Sequence, residues 1–124
     1  MAADGSFAAA AVVPPVVVSS SVPLSKLFPD TSKIEAFDGK FYKRWQERIH
    51  TSLDMHGVAS ALTQSEPPVD SNQTQKDSWT HANKVCRNTI INTLSNDLFD
   101  VYSVYKKASK IWESLILKYT AKDS

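Results

Sequence analysis

The sequence predicts an all-α fold, a small orthogonal bundle of four to five helices following a leader of different composition. Three observations carry this. Apolar residues recur at steps of three and four over several stretches, the spacing that puts side chains on one helical face. Turn and breaker residues separate those stretches. Each long stretch carries one tryptophan on its apolar face: Trp45, Trp79 and Trp112.

The first 32 residues are mostly Ala, Val, Ser and Pro. Pro14 and Pro15 break the apolar run, Asp4 lies within it, and no basic segment opens it, so it does not read as a signal peptide. It is expected to be disordered. Residues 33–124 form the expected domain, truncated on its C-terminal side.

Ile34 to Phe37 is an apolar lead-in. Asp38-Gly39 is turn chemistry, and Asp38 is placed to cap the next helix. That helix is expected over Lys40–His56, with Tyr42, Trp45, Ile49, Ser52, Leu53 and His56 on one face. Gly57 stands where a left-handed residue stops a helix. Val58–Leu62 suggests one more turn, and Thr63–Asn72 with Pro67-Pro68 is a loop.

The long helix, about Gln73 to Leu94, has Ser71 or Asn72 as its cap. Trp79, Ala82, Val85, Cys86, Thr89, Ile90, Thr93 and Leu94 form its stripe, and the rest of the chain is expected to pack around it. Ser95-Asn96-Asp97 offers a fresh cap for a short helix over Leu98–Tyr102. That segment is rich in aromatic and β-branched residues, but no partner strand is visible, which favours helix. The last helix, about Lys106–Thr120, buries Ala108, Ile111, Trp112, Leu115 and Tyr119. Three tryptophans burying ~200 Å² each are worth roughly 5 kcal/mol apiece before entropy is subtracted. They are expected to meet at the centre of the bundle.

The pattern excludes several functions. The net charge of +1 gives no global pull toward nucleic acid or acidic membranes. No apolar run of ~18 residues predicts a transmembrane helix. The single cysteine, Cys86, forms no intramolecular disulfide and fits a reducing compartment, so a cytoplasmic location is expected. His50 and His56 are six apart and His81 and Cys86 five apart, and neither gap suits a helical metal pair. No metal, cofactor or small-molecule substrate is expected. Cys86 lies in an apolar stripe, where a thiol is inert packing rather than a nucleophile. With three glycines, Gly5, Gly39 and Gly57, no phosphate-cradling loop can be built. The chain therefore reads as no enzyme.

Without the first 32 residues, 13 basic and 11 acidic residues remain. Lys40, Lys43, Arg44 and Arg48 make one basic helix surface, and Lys106, Lys107 and Lys110 another. Acidic neighbours mark both as solvated faces, with weak, salt-sensitive RNA contact as the functional reading. Phe41, Ile91, Phe99, Val101, Val104, Tyr105 and Ile116 fall off the main stripes. A domain this small is marginal alone, and surplus apolar surface points to self-association.

The residues also resemble a known family. Phe37-Asp38-Gly39-Lys40-Phe41-Tyr42-Lys43-Arg44-Trp45 is similar to the F-x-G-x-x-(Y/F)-x-x-W segment that opens the Gag polypeptide of plant copia-type LTR retrotransposons. Trp79, Cys86, Ile90 and Leu94 resemble that family's next helix, and Leu98 to Tyr102 its LFDVY variant. Ala108 to Leu115 followed by Lys118-Tyr119 resembles its A-K-E-(L/I)-W-(D/E)-x-L-x-x-K-Y segment. The resemblance covers about Lys33 to Asp123. It implies the N-terminal, capsid-like part of Gag: helical, self-associating and non-enzymatic. The family's zinc knuckle needs three cysteines and one histidine, which these residues cannot supply, so its RNA packaging role is not carried over. A domesticated host adaptor that binds another protein through a helical groove is the alternative.

Overall fold

A computed structural model describes residues 29–123 of the chain. Four α-helices follow in order: α1 (Tyr42–Met55), α2 (Gln73–Asn92), α3 (Asn96–Tyr102) and α4 (Ala108–Asp123). A 3-10 turn, Ala59–Leu62, joins the first two. The fold is a small all-α bundle. The disorder expected for the leader falls, over residues 1–28, outside the described residues.

The helix boundaries follow local chemistry, with two corrections. α1 starts at Tyr42 rather than Lys40, and Asp38 does not cap it. Its N-cap is Phe41, in the left-handed region at φ 60° with no side-chain cap bond. The Asp38 carboxylate instead accepts from the Lys40 N–H at 3.1 Å, closing a turn through Gly39 at φ 109°. The end of α1 is a Schellman motif, with Gly57 N–H donating to Asp54 O at 2.9 Å and Val58 N–H to Leu53 O at 3.1 Å. Gly57, at φ 72°, supplies the left-handed residue that motif needs.

Asn72 caps α2, its side-chain oxygen accepting from Gln75 N–H at 2.8 Å. Ser95 caps α3. α4 begins at Ala108, two residues later than expected. Its cap comes from another helix: the Asn83 side-chain oxygen accepts from Ala108 N–H at 2.8 Å. Lys106 and Lys107 therefore lie in the connecting loop.

The long helix α2 is the spine, in contact with the 3-10 turn, α1, α3 and α4. Ile49, Leu53, Cys86, Ile90, Ala108, Ile111 and Leu115 are fully enclosed. Around them sits a ring cluster. Phe37 packs edge-on against Tyr42 and Tyr119 and stacks on Trp45, with centroids 4.9 to 5.5 Å apart. Trp45 lies 6.1 Å from Trp112.

Phe37 is also tied by its backbone. It donates to Thr93 O and accepts from Ser95 N–H, both at 2.8 Å, making a bridge to the α2–α3 junction. Among the described residues no longer strand pairing accompanies it.

Trp79 corrects the expectation that three indoles meet. It is only half-buried and stands apart from the core cluster. Twenty helical residues span ~30 Å, so α2 runs past the bundle. None of its residues before Val85 is buried. Trp79 belongs to this overhang and packs by Pro67, Pro68 and Val69. Two of the apolar residues assigned to surplus surface also move inward. Ile91 is 5% exposed, and Ile116 packs partly buried against the core.

One buried polar link joins α1 to α2. The Trp45 indole N–H donates to the Thr93 hydroxyl at 3.1 Å, and that hydroxyl donates onward to Thr89 O and Ile90 O at 2.9 Å. Thr93→Val keeps the shape but strands the indole N–H, at a cost of about 1–3 kcal/mol. Urea denaturation should show the midpoint falling with an unchanged slope. An unchanged midpoint would mean that the link contributes nothing.

Candidate interaction surfaces

The signature residues divide by position. Phe37, Tyr42, Trp45, Cys86, Ile90, Leu94, Ala108, Trp112, Leu115 and Tyr119 are all buried in the core, and Leu98 packs half-buried against it. Gly39 shapes the turn before α1, and Trp79 lies on the overhang. These side chains build the fold and line no shared reactive cleft.

Cys86 is held as packing. It is fully enclosed, and its thiol donates to Val58 O at 3.1 Å. Burial pushes its pKa from about 9 up to about 12, leaving almost no thiolate near neutrality. Burial likewise raises the Tyr42 phenol, whose hydroxyl has no hydrogen-bond partner among the described residues. No group of three or more His, Cys, Asp or Glu able to hold a metal occurs among the described residues. No described helix is long and apolar enough to cross a membrane.

The basic residues form two separate groups. Arg44 and Arg48, one turn apart on α1, and Lys40 from the preceding turn line a groove of about 220 Å³ with Ile34, Phe37 and Phe41. Glu35 and Asp38 also line it, so its net charge is small. Lys43 is exposed on the same helix but outside that lining. The Arg44 guanidinium lies 5.2 Å from the Phe41 ring centre, and that ring is 71% exposed. In the other group, Lys107 pairs with Glu66 at 3.4 Å, and Lys110 stands on α4. The backbone carbonyl of Lys106 accepts from Asn83 at 3.1 Å.

Apolar side chains remain in solvent on the last third of the chain. Phe99 and Val101 on α3, Val104 and Tyr105 in the following loop, and Leu117 on α4 are all exposed. The loop is held firmly. Arg87 donates to Tyr105 O at 2.7 Å and to Ser103 O at 2.8 Å, and Asn83 grips its other end. Arg87 thus serves the fold from one turn beyond Asn83 on α2. Its partners lie 16 and 18 residues away, so no local pattern in the sequence marks it for this role.

Leu117 was missed as well. It is 70% exposed on the side of α4 away from the buried stripe. Clefts flank it on both sides. One, of about 330 Å³, has Leu62, Trp112 and Ile116 in its lining, and the other, of about 470 Å³, has Tyr105 and Ser114. Met55 and Val69 are further exposed apolar residues, outside the buried stripes.

No family model, no curated protein and no solved structure matches this chain.

The thiol supplies a test of the core. Above about pH 9 an unfolded Cys86 sheds its proton while the folded one keeps it up to about 12. The native state then binds more protons, so this group's stabilising contribution falls as pH rises through that window. Thiol alkylation at pH 8 should be negligible in the folded chain and fast in urea. Rapid labelling of the folded protein would place Cys86 outside the core.

Proposed function

We propose that this chain is a non-enzymatic assembly domain, a Gag-like fragment of a copia-type retrotransposon that associates with further copies of itself. The reading is supported first by apolar surface left in solvent on rigid elements. Second, most of the residues that carry the resemblance to copia-type Gag lie in the core, with Trp79, Gly39 and the exposed Phe99 and Val101 outside it. A capsid-like fragment needs a stable bundle and sticky faces, with no catalytic cleft. An intracellular setting suits its single reduced thiol.

Size-exclusion chromatography with light scattering tests this. The apparent mass should rise with protein concentration. A strict monomer at every concentration and salt would end the proposal.

A second reading, weak binding of single-stranded RNA, is favoured by the Phe41 groove. An aromatic ring standing 71% exposed beside an arginine is a stacking surface for a base. Arg44 and Arg48 stand one turn, ~6 Å, apart along α1, and Lys40 joins them from the turn before the helix, so the three suit backbone phosphates. If all three contacts form, log affinity should fall against log salt with a slope of about −2. Phe41→Ala should weaken oligo-U binding in fluorescence anisotropy. Absence of binding at low salt would remove this reading.

A further inference from the structure

The groove at the entrance to α1 combines an open aromatic ring with charges of both signs. Phe41, Arg44 and Arg48 follow at steps of three and four, so they share one face. The Phe41 ring stands in solvent on a left-handed backbone, a conformation that a bulky residue adopts only under constraint. Glu35 and Asp38 line the same groove. Among the described residues no ion pair joins these carboxylates to Lys40, Arg44 or Arg48.

The two carboxylates are not equivalent. One oxygen of Asp38 already accepts from the Lys40 N–H. The Glu35 carboxylate is exposed and makes no hydrogen bond or ion pair among the described residues, so both its oxygens are available. The groove, at about 220 Å³, is smaller than the ~300 Å³ at which drug-sized pockets begin. It has room for a single base laid on Phe41, with the base edge turned toward the other groups. A carboxylate only accepts, and its two oxygens match two adjacent N–H donors. Of the four RNA bases, guanine alone offers such a pair on its Watson–Crick edge, from N1 and N2. Adenine and cytosine set an amino group beside a bare ring nitrogen, and uracil sets one N–H between two carbonyls. Those acceptors are repelled by a carboxylate.

We propose that the Phe41 groove selects guanine within single-stranded RNA. Phe41 is the stacking platform, Glu35 reads the base edge, and Lys40, Arg44 and Arg48 hold the flanking phosphates. The inference rests on the RNA reading and adds the base that the site takes. Three cations spread along the groove suit phosphates on both sides of a base in a strand, where a free monophosphate needs only one.

Fluorescence anisotropy on the full chain at low salt, with the labelled pentamers UUGUU, UUAUU and UUUUU, tests the inference. UUGUU should bind about fivefold or more tighter than the other two, the low end of what a bidentate base contact gives. Adenine stacks as a purine but lacks the paired donors, so UUAUU separates stacking from edge recognition. Glu35→Gln should abolish the preference. If Glu35 only repelled phosphate, its replacement would tighten all three and keep their ratio. Phe41→Gly should weaken all three, because glycine keeps the left-handed backbone and removes only the ring. Thermal melts confirm that both variants fold. Equal binding of UUGUU and UUAUU, or a preference that survives Glu35→Gln, would overturn the inference and leave the RNA reading standing. Guanosine monophosphate competing more tightly than unlabelled UUGUU would overturn the strand as occupant. No binding of any pentamer would overturn both the inference and the RNA reading.

Discussion

Phe37 is the constraint on which the rest of the fold depends. It precedes every described helix, yet it sits 1% exposed at the centre of the ring cluster. Its ring meets Tyr42 and Trp45 of α1 and Tyr119 of α4. Its backbone meets the junction of α2 and α3 from both sides. One residue thus touches the elements that begin and end the bundle and pins the turn between two others. Aromatic pairs at these distances are worth about 0.5–1.5 kcal/mol each beyond their burial, and Phe37 makes three.

That placement dictates the strain that follows it. Four residues after Phe37 the chain must already be turning as α1, because Tyr42 and Trp45 are needed against the same ring. The path between closes through Gly39 at φ 109° and Phe41 at φ 60°. For a bulky residue a left-handed backbone is unfavourable, costing on the order of 1–3 kcal/mol. The chain accepts it because the alternative is to move Phe37 out of the cluster. The strained geometry throws the Phe41 ring into solvent, where Arg44 covers part of it.

Much of this was legible because helical periodicity reports burial directly. Tyr42, Trp45, Ile49 and Leu53 read as one face and are one face. Ser71 or Asn72, the Ser95-Asn96-Asp97 run and Gly57 read as caps because each acts through its own backbone neighbourhood, and the structure selects Asn72 and Ser95. What could not be read is what depends on partners distant in sequence. Trp79 carries the same spacing as Val85 and Cys86, but period says nothing about where a long helix leaves its neighbours. Asp38 has cap chemistry, yet Phe37 fixes the turn so that its carboxylate reaches Lys40 instead. Asn83 capping α4 across 25 residues has no local signature at all. The surplus of apolar residues was visible, but its division was not: Ile91 and Ile116 turn inward, while Val101, Val104 and Tyr105 stay out.

That division bears on function through stiffness. An exposed apolar side chain on a loose segment costs entropy when it docks, often as much as its burial returns. Here the loop bearing Val104 and Tyr105 is fastened to α2 at both ends by Arg87 and Asn83. Leu117 rides on a helix anchored by Ile111, Trp112 and Leu115. These bonds serve the fold, capping α4 and satisfying loop carbonyls between the buried Tyr102 and Ala108, and the same bonds hold Val104 and Tyr105 in place. They fix the shape of a greasy face before anything meets it. Polar side chains of α2 thus hold apolar ones in the open in a fixed arrangement, so docking on them would start from an ordered surface.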